Sequence, residues 1–123
     1  MNVVDSSGWL AYFANESSAR HFAPIIQATE RLIVPTICVY EVFKRILSQR
    51  GEEAALQAIG IMSLATEVDL TREIAINAAQ ISSAKKLAMA DSIILATTYS
   101  QKATLWTQDV DFEGMEGVNY ISK

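Results

Sequence analysis

RLIVPTICVYEVFKRILSQRG, residues 31–51, decides the fold. Its first four residues, Arg31 to Val34, read as a strand that Pro35 stops. Pro35 suits the first turn of a following helix, where its missing N–H costs nothing. In that helix Ile37, Tyr40, Val42, Phe43, Ile46 and Leu47 approximate helical spacing, and Gly51 ends it. Working back from this segment, residues 2–5 read as a buried first strand. Ser6 or Ser7 is placed to cap a helix carrying Trp9, Leu10, Tyr12 and Phe13, and a second helix runs from about Ser17 to Thr29. Working forward, residues 52–63 give a helix and residues 66–70 a short third strand. Thr71 caps a helix through about Ala84 with apolar Ile74, Ala75, Ala78 and Ile81. Asp91 opens a helix through about Tyr99, residues 103–106 read as a fourth strand, and Val118 to Ile121 as a fifth. Strands alternating with helices imply an α/β fold: a three-layer sandwich around a central, mostly parallel sheet of four or five strands.

At 123 residues the chain is expected to form a single domain, residues 1–123, with a core of its own. Half the residues are hydrophobic and 20% are charged, which argues against disorder. The apolar runs are interrupted and none approaches the roughly 20 residues of a membrane span. Asp5 comes early with no basic lead before it, so no signal peptide is expected. One cysteine, Cys38, permits no intrachain disulfide and fits a reducing, cytoplasmic setting. The formal net charge of −4 argues against broad electrostatic binding of nucleic acid, unless bound cations invert the local field. The basic groups Lys44, Arg45 and Arg50, then Lys85 and Lys86, read first as solvated helix surface.

Four acids sit at the edges of apolar segments: Asp5 in NVVDSSGWL, Glu41 in VPTICVYEVF, Asp91 in LAMADSIILATT and Asp109 in TLWTQDVDF. Ligands of such sheets bind beyond the carboxyl ends of the strands. Asp5 ends the first strand, Glu41 follows the second, Asp91 begins a helix and Asp109 follows the fourth strand, so the topology can gather all four. Converging carboxylates repel one another, and a divalent cation is the usual remedy. Each acid also has a plain alternative. Asp5 and Asp91 suit helix starts, and Asp109 and Asp111 lie in a polar turn. Glu41, among Val39, Tyr40, Val42 and Phe43, needs a partner, a ligand or an exposed stripe.

Other chemistries have less behind them. His21 stands beside Phe22 with no second His or Cys cluster to make a zinc site. Cys38 reads as core, and no base accompanies a Ser or Cys nucleophile. There is no glycine-rich phosphate loop. Trp9, Tyr12, Phe13 and Trp106 read as core or interface.

The chain resembles the PIN-domain ribonucleases, and in particular the toxin of VapBC-type toxin–antitoxin pairs. The resemblance runs through the strand ending in Asp5-Ser6-Ser7 and through Val34-Pro35-Thr36 leading to Tyr40-Glu41. It continues in Ala90-Asp91-Ser92-Ile93-Ile94-Leu95-Ala96-Thr97 and closes in Leu105-Trp106-Thr107-Gln108-Asp109-Val110-Asp111-Phe112. It implies that Asp5, Glu41, Asp91 and Asp109 form a catalytic, metal-holding cluster, with Ser6 and Thr107 as supporting hydroxyls and Asp111 more peripheral. It further implies Mg²⁺ or Mn²⁺ as cofactor, an RNA substrate, a cognate antitoxin and a homodimer. Glu41 would be a ligand or would help take a proton from water, and Lys44, Lys85 and Lys86 are candidates for phosphate contacts. Two other functions fit the same acids. One is a non-catalytic PIN-like module that binds RNA or protein, and the other is a phosphoacceptor domain. The latter fits less well, because Ser6-Ser7 follows Asp5 where a second acid would be expected.

Overall fold

A computed structural model describes residues 1–123. Five parallel strands form one sheet: β1 (Asn2–Val4), β2 (Leu32–Pro35), β3 (Thr66–Val68), β4 (Thr104–Thr107) and β5 (Val118–Tyr120). Their spatial order is β3-β2-β1-β4-β5. Six helices connect them: α1 (Ser6–Phe13), α2 (Ala19–Gln27), α3 (Thr36–Arg50), α4 (Glu52–Met62), α5 (Arg72–Lys85) and α6 (Met89–Ser100). This is the α/β sandwich expected of the alternating pattern. No helix is long and apolar enough to cross a membrane.

The central strands are buried on both faces, which is why they are runs of Val, Ile and Leu and not alternating patterns. Val3, Val4, Leu32, Val34 and Leu105 are at most 1% exposed and join Trp9, Phe22 and Phe112 in the main core. A smaller cluster of Ile74, Ala78, Ile93 and Ala96 holds α5 against α6. Helix α3 packs on α4 and also meets α1 and α6. That meeting positions the site, because α1, α3 and α6 each start at the carboxyl edge of the sheet.

Local chemistry moves several boundaries. Pro35 closes β2 and stands as the residue before α3, in extended backbone (φ −62°, ψ 135°), one place earlier than its expected seat in the first turn. Asp5, and not Ser6 or Ser7, caps α1 through its side chain. Helix α6 begins at Met89, so Asp91 lies within its first turn. Helix α3 buries Cys38, Val42 and Ile46, which leaves Tyr40 58% and Leu47 43% exposed. The stripe is one residue row narrower than the apolar spacing implies.

Gly8 shows how tightly α1 sits on the sheet. A Cβ there would lie 2.6 Å from Val4 Cγ1 and 2.8 Å from Phe22 Cε1, both in fully buried side chains. Gly8→Ala is therefore expected to destabilise the fold by about 1–3 kcal/mol, more than the helix propensity it gains. A shift of the urea midpoint to lower concentration checks this.

Candidate metal centre

In a sheet ordered 3-2-1-4-5 the chain departs to opposite sides of β1, and a crevice opens between the carboxyl ends of β1 and β4. The register aligns Val4 with Trp106, so Asp5 and Thr107 leave the two strands side by side. Asp5 is 2% exposed and fully engaged. Its Oδ1 accepts from the Gly8 amide at 3.0 Å and the Ser7 hydroxyl at 2.7 Å, and its Oδ2 from the Thr107 hydroxyl at 2.8 Å. Thr107 Oγ1 in turn accepts the Asp109 amide at 2.9 Å, and Asp109 Oδ1 accepts the Asp111 amide at 2.9 Å. One chain of hydrogen bonds thus runs from the start of α1 to the turn after β4. It fixes two carboxylates that are more than a hundred residues apart in sequence.

Glu41 is half-buried in the second turn of α3, and its Oε1 accepts the Ser6 hydroxyl at 2.6 Å. Asp91 is half-buried in the first turn of α6. Carboxylate oxygens of Asp91, Asp109 and Asp111 lie within 4.8 Å of one another.

The electrostatics report the same convergence. Burial first, and then the charges of Asp109, Glu41, Asp5 and Asp111, push the Asp91 carboxyl up to about 7 from an ordinary 3.8. Asp5 is pushed up to about 6, mainly by burial. The bonds from Ser7, Thr107 and Gly8 oppose that shift and the charge of Asp109 adds to it. In both groups burial is the main cause, and the crowding of like charges adds to it. All the donors are hard oxygens, the set that suits Mg²⁺ or Mn²⁺ and not zinc or copper. The residues present therefore fit a divalent cation. Cys38 lies fully buried beside Ser6, and desolvation pushes its thiol far up, so it is neither nucleophile nor ligand.

The structure brings Asp5, Glu41, Asp91 and Asp109 to one edge. It adds Asp111, whose proximity the spacing Asp109-x-Asp111 signals, and Ser7, whose role no sequence pattern marks. Of the basic residues, Lys44 and Arg45 line a cleft with Ser6, Glu41 and Asp109. Lys85 lines a different groove, between α5 and α6.

A model of the PIN domain matches residues 3–118. A search of curated proteins gave no match. Among solved structures, a toxin–antitoxin complex from Klebsiella pneumoniae is similar with a TM-score of 0.80 at 22% identity, covering 98% of this chain and 100% of that one. VapBC2 from Rickettsia felis, bound to a DNA fragment of its promoter, gives a TM-score of 0.78 at 11% identity over 98% of each chain. VapC20 of Mycobacterium tuberculosis, a toxin that cleaves the sarcin–ricin loop, gives 0.73 at 13% identity over 92% of each chain. At these identities the likeness is one of fold.

Proposed function

This chain belongs to the PIN domain family, and from that premise we propose that it is a divalent-metal-dependent ribonuclease, the toxin of a type II toxin–antitoxin pair acting in the cytoplasm. The observation that carries the proposal is the convergence of Asp5, Glu41, Asp91, Asp109 and Asp111 at the β1–β4 crevice, with Asp91 raised by all four of the others.

Asp5, Asp91 and Asp109 would hold the ion, with Asp111 completing the oxygen set. When bound, Mg²⁺ or Mn²⁺ supplies charge neutralisation at the scissile phosphate and eases deprotonation of the attacking water. Asp5 is held by three donors and Asp109 through the Thr107 chain, so neither needs to reorganise. Ser6 occupies Oε1 of Glu41, which leaves Oε2 as the oxygen to take the water's proton. The water oxygen would bond to phosphorus as the P–O bond to the leaving ribose oxygen breaks, and that oxygen would take up a proton, so that one water is consumed per cut and Glu41 returns to its carboxylate. The toxin reading draws on complexes in the same fold from Klebsiella, Rickettsia and Salmonella. A cognate antitoxin is accordingly the proposed protein partner.

Purified protein is expected to cut total cellular RNA with Mg²⁺ or Mn²⁺ present, to stop on addition of EDTA and to resume when the ion is restored. RNA that survives intact under every metal condition, while still being bound, would favour the non-catalytic module.

A further inference from the structure

We propose that the face of α3 beside the carboxylates is a nucleotide subsite for single-stranded RNA. Tyr40 stacks the base next to the scissile phosphate, and Lys44 and Arg45 hold the phosphate beyond it. This rests on the ribonuclease reading and names how that site takes its substrate.

Helix α3 turns Cys38, Val42 and Ile46 into the core. Two rows on its other side are therefore free of the core: Tyr40 with Lys44, and Glu41 with Arg45 and Ser48. Both rows line a cleft of about 500 Å³ that reaches Ser6 and Asp109. Less than two turns of helix thus carry a site carboxylate, an aromatic ring and two cations. Tyr40 is 58% exposed, while Trp9 and Phe112 are fully buried in the core. The Lys44 ammonium lies 5.6 Å from the ring centroid and 3.4 Å from the hydroxyl oxygen, a cation–ring contact that puts charge and aromatic surface side by side.

Charge selects the occupant. The chain carries a formal net charge of −4, and five carboxylates gather in the crevice, so a polyanion needs local cations at its point of entry. Lys44 and Arg45 are the cations lining this cleft. A base can lie on Tyr40 only if it is out of a helical stack, so the substrate is single-stranded RNA or a loop and not a duplex. Tyr40 and Lys44 also border an apolar groove with Val39, Phe43, Leu47 and Ile59 on their far side. A protein helix is the rival occupant there, but the polar cleft continuous with Glu41 and Asp109 fits a sugar–phosphate chain.

The test is equilibrium binding, read by fluorescence anisotropy, with Asp91→Asn in every protein so that the RNA stays whole. Probes are a short mixed-sequence single strand, its duplex and an abasic strand of equal length. Tyr40→Ala is expected to weaken binding of the single strand by about tenfold or more, with Tyr40→Phe close to the parent. The duplex and abasic strands are expected to bind both proteins alike. Lys44→Gln with Arg45→Gln should flatten the dependence of log Kd on log salt by about 0.7 for the lost phosphate contact. Equal affinity of the Tyr40→Ala protein and its parent for the single strand would overturn the proposal. So would equal loss on the abasic strand. Metal-dependent cleavage by the unaltered protein decides the ribonuclease reading separately, so the two fail by different measurements.

Discussion

Asp91→Asn is expected to abolish RNA cleavage while making the metal-free protein more stable. The loss follows from removing a charged oxygen donor of the proposed centre, which is worth several kcal/mol of transition-state stabilisation, or on the order of 10³-fold in rate. The gain follows from the surroundings of Asp91. Burial and four carboxylates push this group up to about 7, so above that pH its charge is forced onto a site that opposes it. Asparagine keeps the shape and removes the charge. A variant that merely unfolds loses activity and stability together, whereas this one is expected to lose the first and gain the second. Thermal melts in EDTA at pH 8, set beside cleavage of total RNA with Mn²⁺, check both. Retained cleavage would remove Asp91 from the chemistry, and a lowered melting temperature would contradict the electrostatic account.

The metal-free protein is expected to lose stability as pH rises from 5.5 to 8, and divalent metal is expected to cancel that loss. Asp5 and Asp91 have folded pKa values of about 6 and about 7 against 3.8 for the ordinary carboxyl. Between 3.8 and those values the folded state binds more protons than the unfolded state, so the free energy of unfolding falls as pH rises through the window. The penalty is absent below about pH 4 and complete above about pH 8. At about 1.4 kcal/mol per unit, with the half-exposed Asp91 discounted for solvent screening, the change between pH 5.5 and 8 is about 1–3 kcal/mol. Adding Mn²⁺ at pH 8 should raise the melting temperature by mass action and flatten the profile. Identical melts with and without metal at pH 8 would show that the carboxylates bind no ion.

Much of this architecture is legible in the sequence because strong local signals agree. The Leu32–Val34 run, Pro35 and Gly51 bracket a strand and a helix, and Thr71 caps α5 as its position predicts. The sheet follows from the alternation of strands with helices. The strand order, with β1 between β2 and β4, depends on long-range packing that local patterns do not encode. The same limit applies at the centre. Asp5 looks like either a cap or a ligand because it is built as a cap: Oδ1 takes the amide of Gly8 while Oδ2 faces Thr107. Ser7 reads in the sequence as a possible cap and not as a partner of Asp5, because its bond to Asp5 depends on a side-chain rotamer in the first turn of α1. Tyr40 misleads by hydropathy. Its spacing is nearly helical, but the three positions that point inward are Cys38, Val42 and Ile46, and the ring is left outside. The proximity of Asp111 depends on a single 3₁₀ turn, Val110–Phe112, which Asp109 caps and Phe112 anchors in the core.

The place of β1 in the sheet governs when the proposed centre can form during synthesis. The ribosome releases this strand first, yet one of its two neighbours, β4, is made only after residue 103. Until then Asp5 has no Thr107 to meet, Asp109 does not exist, and half of the sheet's middle seam stays open. A chain stalled anywhere in its first hundred residues therefore lacks the proposed centre, which forms only once β4 and the turn after it have been made.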